Sequence, residues 1–152
     1  MDLVKGYAGA STRRTYQQVV DNSTPRRFRA SDRWASSTSH SAANYGTDHK
    51  VLESPQSVVE NASYKISTPA KDSYAVYGWW PADPGFNEHT VFAVKITGGW
   101  AHQIVNQRIT GGRWIYLGTY SLGAGDSYRV QISSKSQGKG RIIADAVKIV
   151  RQ

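Results

Sequence analysis

The sequence contains no cysteine, which removes disulfides and thiolate–metal chemistry. No run approaches the 18 consecutive apolar residues that a membrane-crossing helix needs. No segment carries a sustained apolar stripe at helical spacing. Phenylalanine is scarce, at three residues, and methionine occurs once. The opening Met1–Lys5 lacks the basic and apolar regions of a signal peptide. If the parent protein is exported, this chain is therefore expected to be a piece of something longer.

What is present is aromatic and basic. Five Trp and nine Tyr exceed what a core of 152 residues needs, and rings with a polar handle favour half-wet surfaces. The length suits one domain able to bury roughly two-thirds of its unfolded surface. Lys and Arg outnumber Asp and Glu by 19 to 11, a net charge of +8, and Lys5, Arg13, Arg14, Arg26, Arg27, Arg29 and Arg33 crowd the first 33 residues. Such a field speeds encounters with polyanions: teichoic acid, an acidic exopolysaccharide or nucleic acid. Simple solubility explains it equally well.

Apolar residues alternate with a period of two, broken every 8 to 12 residues or so by Gly, Pro, Asn, Asp and Ser, the pattern of a sandwich or barrel. Strands are predicted at 16–20, 58–67, 73–80, 90–97, 100–106, 113–122, 128–133 and 141–150, with short ones at 28–30 and 49–52. Residues 23–46 otherwise read as a long Ser- and Arg-rich loop. The expected fold is all-β, a two-sheet antiparallel sandwich of jelly-roll type. Residues 1–15 are expected to be a linker or the tail of a preceding domain, and 16–152 the module.

Several phrases are specific. They are Tyr74-Ala75-Val76-Tyr77-Gly78-Trp79-Trp80-Pro81-Ala82, Val105-Asn106-Gln107-Arg108 with Gly111-Gly112-Arg113-Trp114, and Leu117-Gly118-Thr119-Tyr120. Ala124-Gly125 and Ile143-Ala144-Asp145-Ala146-Val147 follow, with Val20-Asp21-Asn22 and Phe28 at the start. In order and spacing this resembles the golvesin and xanthan-lyase C-terminal domain family, from about Tyr16 to Val150. The resemblance implies a non-catalytic, carbohydrate-binding-like jelly roll appended to secreted bacterial hydrolases, lyases and cell-wall amidases. The lead-in Leu3–Tyr7 through Arg14–Tyr16 is similar to tails that join such modules to N-acetylmuramoyl-L-alanine amidases.

The expected ligand is then a polysaccharide, peptidoglycan or an anionic cell-wall polymer, and the expected location secreted or wall-associated, with a parent catalytic domain in cis. Sugar rings stack on flat aromatics while their hydroxyls need polar partners. Trp34 and Tyr45 in the long loop, Trp79 with the segment ending at Asn87, and Trp100 are the candidate ligand contacts, with Arg33 for an acidic group. Trp80 and Trp114 are assigned to the core. In the sugar-binding jelly rolls this family resembles, a structural calcium near the paired first and last strands recurs, which makes Asp21 and Asp145 candidate ligands. Capping of backbone amides, or pairing with an arginine, ranks ahead of it, so no cofactor is expected.

Catalytic signals are poor. No G-x-S-x-G elbow, H-E-x-x-H pair or third glycine after Gly123-Ala124-Gly125 occurs, and Asp83 and Glu88 flank a solvated Pro-Gly turn. Two alternatives stand behind the glycan module: a structural domain packed on its parent, and a basic nucleic-acid-binding β-barrel, the least favoured because no oligonucleotide-fold signature accompanies the charge.

Overall fold

A computed structural model describes residues 16–152; the proposed linker over 1–15 lies outside them. Among the described residues, twelve strands form three sheets. In chain order they are β1 Gln17–Asp21, β2 Phe28–Arg29, β3 Ala35–Ser37, β4 His49–Leu52, β5 Ala62–Thr68 and β6 Asp72–Trp79. Then come β7 Thr90–Ile96, β8 Gly99–Val105, β9 Ile115–Leu122, β10 Gly125–Ile132, β11 Ile142–Ala144 and β12 Ala146–Arg151. A four-stranded sheet, β1-β12-β6-β9, faces a five-stranded one, β2-β5-β10-β7-β8, and a small sheet, β11-β4-β3, completes the fold. The architecture is the all-β sandwich that the period-two alternation predicts.

The core lies between the two large sheets. Val20, Tyr74, Val76, Val147 and Ile149 on one side meet Tyr64, Ile66, Phe92, Val94, Val130 and Ile132 on the other, all essentially sealed from solvent. Residues at alternate positions point to opposite faces. So Tyr74 and Val76 of β6 point inward, and Tyr77 and Trp79 are left on the outer face.

On β9 the alternation is interrupted. Val76 pairs with Gly118 but Tyr77 pairs with Tyr116, so Leu117 is an extra residue, a β-bulge. Gly118 takes φ +130°, and a Cβ there would stand 2.6 Å from the Tyr120 hydroxyl, so this bend requires glycine. Tyr120 Oη closes the bulge by donating to the Leu117 carbonyl at 2.7 Å. The bulge shifts the phase of everything before it. Leu122 and Leu117 are both buried, five residues apart, while Tyr116 is exposed.

The structure differs from the sequence reading in two strands. The Ser-rich run hides β3, paired with β4. The single strand expected over 141–150 is two: β11 belongs to the small sheet and β12 to the four-stranded one, and the chain changes sheet at Asp145.

Candidate functional site

The outer face of the four-stranded sheet collects aromatic rings from four segments. Tyr77 and Trp79 come from β6, Tyr116 from β9, Trp114 from the residue before β9, and Tyr45 from the loop before β4. Trp79 lies 5.4 Å from Tyr45 and 5.3 Å from Trp114, both edge-on at 79°, and Tyr45 and Trp114 are 5.1 Å apart. Tyr77 and Tyr116 sit at 5.6 Å. Lys148 of β12, paired with Tyr77, bridges the two groups, its Nζ 4.8 Å from the Tyr77 ring and 4.9 Å from the Trp114 ring. A cation at that distance from two ring faces is held by their quadrupoles.

The rings are fixed by their scaffolds. Trp79 Nε1 donates to the Ala43 carbonyl at 2.8 Å, which ties the Tyr45 loop to the sheet. The chain before Trp114 presses onto the end of β6: Gly112 N donates to the Trp80 carbonyl at 2.8 Å, and a Cβ on Gly111 would lie 2.5 Å from backbone atoms of Trp80 and Ala82. No side chain fits there. Tyr45 remains 40% exposed and Tyr116 57%. Half-exposed rings beside an ammonium group suit a ligand that offers C–H faces and anionic or hydroxyl groups together.

Of the sequence candidates, Tyr45 and Trp79 are brought together here. Trp34 is not on any face: it is buried, with Nε1 donating 2.7 Å to the Glu60 carbonyl. A carbonyl 26 residues away satisfies the indole and lets the ring join the core. Arg33 beside it forms an ion pair with Glu60 and bonds Gln56. Asn87 is fully buried and structural: its amide donates to the Gln137 and Lys139 carbonyls and accepts from His89 N and Thr90 Oγ1.

Trp100 is 40% exposed but lies on β8, on the outer face of the other large sheet. It borders a trough of about 310 Å³ with Asn61, His102 and Gln131. Trp80 is buried as expected, whereas Trp114, assigned to the core from sequence, is only half-buried. Counting back in twos from buried Leu122 puts Trp114 inward, and the bulge at Leu117–Gly118 reverses that phase. Tyr77 was legible, since it alternates with Trp79; Tyr116 and Lys148 carried no signal of their own.

The two acids named as possible calcium ligands adjoin each other, because β1 pairs with β12 and sets Asp21 opposite Ala146. Asp145 caps a backbone amide, accepting from Tyr45 N at 3.1 Å. Burial pushes its carboxyl up to about 8, the Tyr45 amide pulls the other way, and the Asp21 carboxylate adds to the rise. Elsewhere Ser39 Oγ, His40 and Asp83 make a chain of contacts, 3.0 Å to Nδ1 and 2.8 Å from Nε2. Asn44 Nδ2 donates to the Ser39 carbonyl in the same loop. This is a clasp joining the Tyr45 loop to the turn at Asp83.

A family model, Golvesin C-terminal domain, matches residues 18–151. The chain is 32% identical over 139 residues to a xanthan lyase from Bacillus sp. (strain GL1), covering 87% of this chain and 14% of that protein. The solved structure of a Paenibacillus xanthan lyase superposes with a TM-score of 0.79 at 28% identity, over 90% of this chain and 13% of that one. A Podospora anserina GH26-CBM35 β-(1,4)-mannanase shares the fold, with a TM-score of 0.56 at 10% identity over 82% of this chain and 27% of that one. The chain thus spans about one-seventh of the length of its xanthan lyase relative.

Proposed function

We propose, for a chain that belongs to the Golvesin C-terminal domain family, that it is a non-catalytic carbohydrate-binding module. Its binding face is the aromatic cluster of Tyr45, Tyr77, Trp79, Trp114 and Tyr116, with Lys148 at its centre. The observation that carries this reading is the convergence of five rings and one ammonium group on a single outer face. A core has no use for rings left outside it, and Tyr45 and Tyr116 remain substantially exposed.

The net charge of +8 and Lys148 between the rings favour an acidic glycan. The relatives named for xanthan make an anionic exopolysaccharide the first ligand to test, ahead of peptidoglycan or a wall teichoic acid. In this reading the module is extracellular and bacterial, and holds a parent lyase, hydrolase or amidase on its polymer. Each stacked ring contributes roughly 1 kcal/mol, so a single module binds weakly and gains by avidity along a polymer.

Affinity electrophoresis through gels containing xanthan, a neutral glucan or peptidoglycan fragments tests this. Retardation in xanthan should exceed that in the neutral glucan. Trp79→Ala should weaken it by about fivefold, equivalent to ~1 kcal/mol, and Lys148→Gln should make the residual binding less salt-dependent. Equal migration of wild type and variants in every gel would defeat the glycan reading. It would favour the alternative in which these rings seat the module on its parent domain.

A further inference from the structure

One rank of residues crosses the five-stranded sheet from edge to edge. Arg29 of β2 pairs with Ser63 of β5, Ser63 with Gln131 of β10, Gln131 with Ala93 of β7, and Ala93 with His102 of β8. Directly paired residues share one face of a sheet. Their chain neighbours Tyr64, Val130, Ile132, Phe92 and Val94 point into the core, so this rank lies on the outer face. Neighbouring strands stand about 4.8 Å apart, and four such steps make a straight row of about 19 Å.

The row is the floor of a groove. Ser63 and Ala93 are short and sunk between longer neighbours, at 3% and 9% exposure. Two troughs lie along it. One of about 310 Å³ is bordered by Trp100 and His102, the other of about 490 Å³ by Arg29 and Ser31, and they share Asn61 and Gln131. Asn61 Oδ1 accepts from Ser134 N at 3.0 Å, and Asn61 Nδ2 donates to Gln131 Oε1 at 3.2 Å. The amide pair is thereby oriented, and Gln131 Nε2 is left with no partner among the described residues. Lys95 Nζ, at 5.6 Å from the Trp100 ring, is beyond van der Waals contact and does not pack on it.

Charge selects the ligand. The two troughs are lined by one cation, Arg29, and one carboxylate, Glu60, so the lining has no net charge in a chain of +8. Glu60 is held by Arg33, and Arg29 lies over the Tyr128 ring at 4.0 Å. An indole, an amide donor and serine hydroxyls along a straight floor suit a chain that repeats C–H faces and hydroxyls without charge.

We propose that this groove is a second ligand site, and that it takes a neutral, extended β-linked polysaccharide. Trp100 stacks on one sugar ring, Gln131 Nε2 donates to a hydroxyl at the midpoint, and the short side chains of Ser63 and Ala93 let the chain lie down. The site goes beyond the function proposed above, since it shares no residue with the Tyr45–Lys148 cluster and lies on the other large sheet.

Affinity electrophoresis of the whole chain through gels of hydroxyethylcellulose, galactomannan and pullulan tests it. The first two are extended β-linked chains, and pullulan is a flexible α-linked glucan. At least one extended chain should retard the protein, though less than xanthan does, and added salt should not weaken the effect. Pullulan should do little. Trp100→Ala should weaken retardation about fivefold. Ala93→Leu, which stands a longer outward side chain on the floor, should abolish it while melting as wild type does; if it melts lower, Trp100→Ala decides alone. Trp79→Ala and Lys148→Gln should leave it unchanged. No retardation in either extended chain, equal retardation in pullulan, or retardation that Trp100→Ala keeps in full overturns the groove. Retardation that Trp79→Ala removes belongs to the aromatic face and overturns it too. Loss of xanthan binding alone defeats the aromatic face and leaves the groove standing.

Discussion

The two large sheets present outer faces of different character. The four-stranded sheet shows Tyr77, Trp79, Trp114 and Tyr116 around Lys148. The five-stranded sheet shows one exposed indole, Trp100, beside a trough of Asn61, His102 and Gln131, with Lys95 Nζ 5.6 Å from the ring. Both faces lie over the same core and both obey a two-residue alternation. Tyr77 and Trp79 face outward by the regular alternation of β6, and one inserted residue adds the rest: the bulge at Leu117–Gly118 turns Tyr116 outward while keeping Leu117 in the core. Composition supplies rings to a sandwich, but the phase of a strand decides whether they face the core or the solvent.

The comparison needs a baseline for an indole sealed inside, and Trp34 provides it. Trp34→Ala should cost about 3–5 kcal/mol of stability in urea denaturation, whereas Trp79→Ala should cost far less and act on binding. If the two variants are equally destabilised, the outer face is part of the core and the contrast fails.

Acidification should separate the faces next. His49 is buried, and that burial, aided by nearby His40 and opposed by Asp48, lowers its pKa from 6.5 to about 4. Its Nδ1 meets Asn44 Oδ1 at 2.8 Å, next to Tyr45. Between those two values the unfolded chain binds a proton that the folded chain refuses. The His49 contribution is therefore complete above the upper value and falls as pH drops through the window, by at most about 3 kcal/mol. Asp145, its carboxyl raised to about 8, acts with the opposite sign over the same range. The readout is thus the difference between wild type and His49→Asn in thermal melts from pH 7 to 4, and the advantage of wild type should shrink as pH drops.

Gly118→Val attacks the bulge itself. A branched side chain at φ +130° against Tyr120 should cost about 2 kcal/mol and also reduce polysaccharide retention, because Tyr116 and Trp114 lose their aim. A variant that is destabilised but binds normally would show that those two rings are dispensable. The smallest effect belongs to the other face. Trp100→Ala should change xanthan retention by less than about twofold, ~0.4 kcal/mol. A loss matching that of Trp79→Ala would move the binding face to the five-stranded sheet.

Much of this was legible in the sequence. The strands of the two large sheets announce themselves by alternation, and the turn residues between them by type. β3 was hidden because Ala35–Ser37 is a short polar edge strand with nothing apolar to alternate. The break at Asp145 was hidden because both flanking strands are equally apolar and only their pairing differs. Trp34 and Trp79 read alike, each an indole beside a loop. Both find a distant carbonyl, Glu60 for Trp34 and Ala43 for Trp79, so what separates them is the packing environment supplied from elsewhere in the chain. Trp114 and Tyr116 were unreadable for the reason Gly118 makes plain: a bulge leaves a glycine in the sequence but does not say which side of it is shifted.

The ladder between β1 and β12 has a mechanical consequence. Its five rungs run from Gln17–Val150 to Asp21–Ala146, so the start of the first strand and the end of the last share one edge, and the two acids sit at the opposite end. A load pulling those two ends apart peels the ladder like a zipper, one rung at a time, where a shearing load would strain all five at once. The junction at Asp21 and Asn22, where Asn22 N donates to the Asp145 carbonyl at 2.7 Å, is the last point to part and acts as the stop at the bottom of the zip.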